Sequence, residues 1–286
     1  MARVLIFNGT PLAAEERLMA FGSPSYEALI KSSLDAHVPA GRAIDYHVLR
    51  VADGERLPQG MHLGDFDGVW ISGSPLNVYA LAQPSVPEQL DFVREIWAAG
   101  IPAFGSCWGL QLMVAALGGT VHLNPRGREV GIARRIQPND AGRAHPMLEG
   151  KGVAFDALCT HEDEVAALPS CGTVLASNAV SRVQAAEMRE GERCFWGVQY
   201  HPEFGFETIA AIIAMRIERH IKEGLARDAD DVAQIIADFR GMGSDPPRTD
   251  LVWKYGLDAA VTDPLLRTRE FGNWLRAGVF PSAAAR

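Results

Sequence analysis

The chain has few cysteines. Four occur in 286 residues, at positions 107, 159, 171 and 194. None forms the C-x₂-C spacing of a zinc site, and so few in a chain this long exclude a disulfide framework. Basic charge is also short: 27 Lys and Arg face 35 Asp and Glu, a net charge of −8. With no basic cluster, a broad nucleic-acid surface is excluded. No apolar run approaches the ~18 residues of a membrane span. The first run, Val4 to Gly9, is too short for a signal core and reads as a buried strand. A reactive thiol needs a reducing compartment, so a cytoplasmic location is expected. There is no G-x-x-x-x-G-K-[ST] nucleotide loop, because Ser72-Gly73-Ser74-Pro75 continues without a lysine. Repeats and low-complexity segments are absent as well.

What is present is an ordinary globular composition, 48% hydrophobic and 22% charged. Its most telling segment is Gly105-Ser106-Cys107-Trp108-Gly109-Leu110. A short apolar run precedes it and a helix-forming run, Gln111 to Leu117, follows. This predicts a buried strand over 101–105, a sharp turn, and a helix. A G-x-C-x-G turn in that setting is a nucleophile elbow. It lifts the thiol to a helix N-terminus, where unpaired N–H groups and the helix dipole favour a thiolate. The N–H of Trp108, the residue after the nucleophile, is then an oxyanion donor.

Downstream stands Gly197-Val198-Gln199-Tyr200-His201-Pro202-Glu203. In extended chain, residues two apart project the same way, and Pro202 keeps His201 out of the helical region. Glu203 can therefore hold one ring nitrogen of His201 while the other faces Cys107, the nucleophile–base–orienter arrangement of a triad. A metal site built from Cys107, Cys159, His161 and His201 would consume the nucleophile and the base. No metal or cofactor is expected. His37, His47, His62, His122 and His220 have no clustered partners and read as surface or satisfied residues.

At this point the chain resembles the class I, triad-type glutamine amidotransferases, especially free-standing proteins like the glutaminase half of GMP synthase. Four segments over roughly residues 1–222 carry the resemblance: Phe66 to Pro75, Gly105 to Gln111, Thr160 to Val165, and Gly197 to Glu203. The resemblance implies that Cys107 attacks a γ-glutamyl amide, that His201 moves the proton, and that Glu203 orients His201. It implies backbone oxyanion donors at Ser74 and Trp108. It places Gly73, Gln111, Thr160 and His161 against the substrate, and Gly127 to Gly131 near the site. Ser106 and Leu110 depart from the family's commoner residues. The first puts a hydroxyl under the elbow and the second is expected to change the pocket wall.

The expected fold is α/β: an open, mainly parallel twisted sheet flanked by helices, flavodoxin-like, with a helical C-terminal extension. Helices are expected over 88–99 and 206–222, and strands over 3–7, 44–51, 66–72, 130–136, 153–158, 173–177 and 194–199. The predicted division is a catalytic domain over 1–222 and an extension over 223–286. Trp253 and Trp274 suggest that the extension packs on something, which could be its own domain, a dimer contact or a lid over the site. The function expected first is hydrolysis of the γ-amide of glutamine through a γ-glutamyl thioester, with ammonia passed to a synthetase or acceptor enzyme. Two alternatives stand beside it: a stand-alone hydrolase of larger γ-glutamyl amides, and a non-catalytic binding or regulatory module.

Overall fold

Eleven strands and twelve helices form around one large sheet in the computed structural model, which describes residues 1–281. The strands are β1 (Ala2–Phe7), β2 (Ile44–Leu49), β3 (Gly68–Ile71), β4 (Ala103–Ser106), β5 (Thr120–Leu123), β6 (Glu129–Pro138), β7 (Phe155–His161), β8 (Asp163–Ala167), β9 (Gly172–Ser177), β10 (Ala185–Glu190) and β11 (Arg193–Val198). The helices are α1 (Leu12–Ala20), α2 (Tyr26–Asp35), α3 (Ser85–Ala99), α4 (Trp108–Ala116), α5 (Asp140–Ala144), α6 (Phe206–Ala214), α7 (Ile217–Lys222), α8 (Ala229–Gly243), α9 (Thr249–Lys254), α10 (Ala259–Thr262), α11 (Pro264–Arg267) and α12 (Arg269–Trp274).

The main sheet runs β2-β1-β3-β4-β11-β10-β9-β6-β7. Pairing from β2 through β11 is parallel, and from β11 onward antiparallel. The parallel half holds the helix crossovers, so both of its faces are covered. Its inner strands β3 and β4 are therefore buried along their whole length, as is β1 from Val4 to Phe7, while the edge strand β2 keeps Asp45 exposed. Side chains still sort by the two-residue period. Leu5, Phe7, Val69 and Ile71 enter one core with α3 and α4, whereas Val4, Ile6, Trp70 and Phe104 enter the opposite one.

The C-terminal helices complete that second face. Phe271 and Trp274 of α12 pack edge-on against Trp70, with ring centroids 4.2 and 6.0 Å away, and Trp70 stacks on Phe104 at 4.6 Å. Trp274 is thus core. Trp253 is not: it is 85% exposed, which corrects the expectation that both tryptophans pack. A third cluster joins α6 and α8 through Phe206 and Phe239. One further correction concerns the helices. The single helix expected over 206–222 breaks at Met215 and Arg216, where Arg216 leaves helical geometry (φ −135°, ψ 34°). The final helix ends in a π turn over Leu275–Val279. Among the described residues no helix is long and apolar enough to cross a membrane.

Candidate active site

Parallel pairing of β4 with β11 puts Ser106 opposite Val198, so both strands end at the same sheet edge. Ligands of open α/β sheets bind at that carboxyl edge. Cys107 follows β4 and His201 lies three residues beyond β11. The Cys107 N–H donates to the Val198 carbonyl at 2.8 Å, which ties the elbow to the segment carrying the histidine.

The elbow has φ 50° and ψ −99° at Cys107, outside the regions comfortable for a residue with a Cβ. Two glycines hold it there by close approach. A Cβ on Gly105 would stand 2.7 Å from the Gly109 backbone, and one on Gly109 would stand 2.6 Å from the Ile71 carbonyl oxygen. The strand-to-helix crossing is therefore tight enough to force the thiol outward. The Sγ lies 3.7 Å from the Thr160 carbonyl oxygen.

His201 is 1% exposed and its ring stacks on Phe204 with centroids 3.8 Å apart and planes 3° off parallel. Its Nδ1 lies 2.7 Å from Glu203 Oε1. The sequence argument expected extended chain here, but the segment is a turn, closed by the Phe204 N–H on the His201 carbonyl at 3.2 Å. The pairing forms all the same, because the turn brings both side chains onto its inner side. Burial pushes the imidazole toward its neutral form. The Glu203 carboxylate, hydrogen-bonded to the ring, and then Cys107 outweigh it and raise the pKa from 6.5 to about 10. Glu203 Oε1 also accepts the Ser106 hydroxyl at 2.8 Å, and its Oε2 is buried without a partner among the described residues.

The Ser74 N–H, expected from sequence as the second oxyanion donor, is aimed through its neighbour. The Gly73 carbonyl accepts hydroxyls from Thr10 at 2.7 Å and Ser72 at 2.9 Å. In a planar trans peptide the Ser74 N–H points opposite that carbonyl. Fixing one therefore fixes the other. A Cβ on Gly73 would come within 2.6 Å of His201 Cε1 and 3.4 Å of the Tyr26 hydroxyl, so only glycine lets this loop lie against the histidine.

A cavity of about 460 Å³ opens over these groups. Cys107, Ser74, Gln111, Thr160, His161 and His201 all line it. Gln111 Nε2 is already engaged by Gln199 Oε1 at 3.1 Å and the Asp163 carbonyl at 3.3 Å, which leaves its oxygen for a ligand. The His161 ring is spent on Glu129 and the Asp163 carbonyl, each 2.9 Å away, so what it offers the cavity is backbone. Trp108 lies at the first position of α4 with its indole donating to Gln89 at 2.9 Å.

Other residues reach the cavity without a signal strong enough to be read in sequence. Tyr26, from α2, is 7% exposed, and burial followed by the Glu203 and Cys107 charges holds its phenol well above its ordinary range. Arg128, from the segment Gly127 to Gly131, pairs with Glu162 and Glu223, and Arg219 pairs with the same two carboxylates. Burial raises the Glu162 carboxyl, but Arg128 and Arg219 together hold it below its usual value. Leu110 lies elsewhere than expected: it is fully buried in the core beside Phe195, not on the cavity wall. His220, expected to be exposed or satisfied, is 1% exposed with neither ring nitrogen hydrogen-bonded among the described residues. Among the described residues no three His, Cys, Asp or Glu side chains gather as a metal site.

Comparison with known proteins gives the family. Residues 30–215 match the family model for class-I glutamine amidotransferases. The γ-glutamyl-L-1-hydroxyisopropylamide hydrolase of a Pseudomonas species is 34% identical over 227 residues, covering 77% of this chain and 75% of that protein. The glutamine-hydrolysing GMP synthase of Streptomyces avermitilis is 41% identical over 138 residues, but there the match covers 48% of this chain and only 24% of the synthase. In fold, the crystal structure of a glutamine amidotransferase from Thermotoga maritima superposes with a TM-score of 0.63 at 17% identity, over 95% of this chain and 98% of that one. A glutamine amidotransferase from Methylobacillus flagellatus gives 0.62 at 18% identity, over 96% and 94%. With its model matched over most of the chain and its elbow at the carboxyl edge of the parallel strands, this protein belongs to the class I glutamine amidotransferase family.

Proposed function

We propose that this chain hydrolyses γ-glutamyl amides by itself, with Cys107 as nucleophile, His201 as proton carrier and Glu203 as its orienter. The observation that carries the reading is the hydrogen-bonded series Glu203–His201 facing a strained Cys107, at the floor of a cavity of about 460 Å³. Cavities of roughly 300–1,000 Å³ hold ligands of drug size, so there is room for a γ-glutamyl group and an amine larger than ammonia.

With His201 protonated, Cys107 Sγ adds to the γ-carbonyl carbon and a C–S bond forms. The carbonyl oxygen takes the electron pair and is held by the N–H groups of Ser74 and Trp108. Collapse breaks the C–N bond, and the departing amine takes the proton from His201. A γ-glutamyl thioester remains. Neutral His201 then removes a proton from water as the water oxygen attacks. Collapse of the second intermediate breaks the C–S bond, frees glutamate and restores the thiolate–imidazolium pair. Gly73, Gln111 and the backbone of Thr160 and His161 hold the glutamyl part.

The hydrolase that matches along most of both chains favours a larger amine as the leaving group. A second reading, a glutaminase feeding ammonia to a synthetase partner, draws on the GMP synthase relatives. In either case residues 1–222 would form the catalytic domain and 223–286 an extension bracing it. A cytoplasmic site suits the reactive thiol.

The deciding experiment compares ammonia release from glutamine with amine release from γ-glutamyl alkylamides, using the purified chain and Cys107→Ala. Faster Cys107-dependent release from the alkylamides supports the stand-alone hydrolase. Faster release from glutamine favours the glutaminase. Turnover that survives Cys107→Ala would sink both.

A further inference from the structure

We propose that Thr10 is a positioning residue for the reaction: its hydroxyl pins the Gly73–Ser74 peptide in the orientation that offers the Ser74 N–H to the oxyanion. The inference rests on the γ-glutamyl amide hydrolase reading above. It adds that the chain's own residues, and not a partner, hold that donor ready.

The need for a pin comes from Gly73. A side chain there would strike His201 Cε1 at 2.6 Å, so the loop can lie against the histidine only as glycine. Glycine also leaves the backbone its widest choice of angles. The peptide that carries the Ser74 N–H can therefore turn about its Gly73 side, while Ser74, followed by Pro75, is more restricted. A turned peptide would aim its carbonyl oxygen where the oxyanion forms, and repulsion would replace a hydrogen bond.

Two hydroxyls oppose that turn, and they are unequal. Thr10 Oγ1 donates to the Gly73 carbonyl at 2.7 Å from 63 residues away, so it ties the loop to a different element. The Ser72 hydroxyl reaches the same carbonyl at 2.9 Å from the adjacent residue, and its single proton has Asn8 Oδ1 at 3.4 Å as a second acceptor. Thr10 is itself braced. Its N–H donates to Asn8 Oδ1 at 3.0 Å, and Asn8 Nδ2 donates to Glu15 at 3.0 Å. Glu15 also accepts the Tyr26 N–H at 2.8 Å and pairs with Arg50. The Gly9 N–H donates to Ser72 Oγ at 2.9 Å. Asn8, Thr10, Glu15 and Ser72 are each 2% exposed or less, so water replaces none of these bonds without rearrangement. The turn after β1 thus meets the loop after β3 as one hydrogen-bonded unit, and Thr10 is its contact with the peptide that matters.

The test measures kcat and KM on a γ-glutamyl amide for the unaltered chain, Thr10→Val and Thr10→Ser. Alkylation of Cys107 by iodoacetamide, a displacement that builds no oxyanion, runs beside it. Thr10→Val keeps the side chain's shape and removes the hydroxyl. Its kcat should fall about tenfold, the size of one hydrogen bond, with KM nearly unchanged and alkylation as fast as before. Thr10→Ser should recover most of the loss. Removing both hydroxyls, in Thr10→Val with Ser72→Ala, should approach the loss of a whole donor, about 10²–10³ in kcat. Full kcat in Thr10→Val would overturn the proposal. So would equal losses in Thr10→Val and Thr10→Ser, or alkylation that slows in step with kcat, since packing or the Cys107–His201 pair would then be what Thr10 serves. A crystal structure of Thr10→Val reads the peptide without turnover: a Gly73 carbonyl turned, or divided between two orientations, is expected, and an unmoved one refutes the pin. If the unaltered chain hydrolyses no γ-glutamyl amide, the hydrolase reading fails, and that crystal structure alone decides for or against Thr10.

Discussion

Ser106 Oγ donates to Glu203 Oε1 at 2.8 Å, on the same oxygen that faces His201 Nδ1 at 2.7 Å. The residue before Cys107 thus holds the carboxylate that pairs with His201. Both side chains are buried, 0% and 3% exposed, so no water can take the place of the hydroxyl without rearrangement.

From this bond, Ser106→Ala should lower kcat about tenfold and leave KM nearly unchanged, as expected for a lost charge-assisted hydrogen bond worth roughly 1.5–3 kcal/mol, only part of which reaches the transition state. Steady-state kinetics on a γ-glutamyl amide would show it. A variant with full kcat would mean that Glu203 keeps its place through His201 alone.

Gly73→Ala should cost more. Its Cβ would meet His201 Cε1 at 2.6 Å, so either the histidine moves or the peptide carrying the Ser74 N–H turns away. Loss of one oxyanion donor lowers kcat by about 10²–10³. The thermal unfolding midpoint should fall as well, because the added Cβ points at two buried side chains, His201 and Tyr26. Unimpaired kcat in a folded variant would exclude Ser74 as a donor.

Stability should fall with rising pH through His201. Its folded pKa is raised from 6.5 to about 10, so the folded state holds this proton more tightly than the unfolded chain. The resulting contribution is whole below pH 6.5, shrinks above it, and is gone past about 10. Urea unfolding of the unaltered chain and of His201→Gln across that window should show the difference between them narrowing with pH. Parallel curves would mean that His201 carries no extra proton affinity in the fold.

The two C-terminal tryptophans should behave oppositely. Trp274 is 2% exposed and packs on Trp70, so Trp274→Ala should cost about 3–5 kcal/mol. Trp253 is 85% exposed, and Trp253→Ala should stay within about 0.5 kcal/mol. Denaturant titration of both variants would separate them. Equal effects would contradict the packing of α12 on the sheet.

The elements legible in sequence are those fixed by short-range chemistry. Gly105, Cys107 and Gly109 sit within five residues, and the missing side chains of the two glycines permit the close approach that holds Cys107 in its strained turn, so the elbow could be read directly. His201 and Glu203 are two apart, and their pairing was readable even though the backbone between them is a turn and not extended. Apolar runs such as Val4 to Phe7 mark buried parallel strands because both faces of that half of the sheet are covered.

Tertiary structure decided whatever depends on a partner distant in the chain. Ser106 and Glu203 are 97 residues apart, and only the parallel register of β4 with β11 makes them neighbours. Leu110 turned from the cavity into the core because the helix phase, set at the elbow, pointed it toward Phe195. The periodicity over 206–222 could not show the break at Met215, nor which charges near Arg216 would already be spent on one another. A sequence specifies local backbone geometry through steric limits acting over a few residues. Which face is covered, and which charge is left without a partner, is a property of the packed chain as a whole.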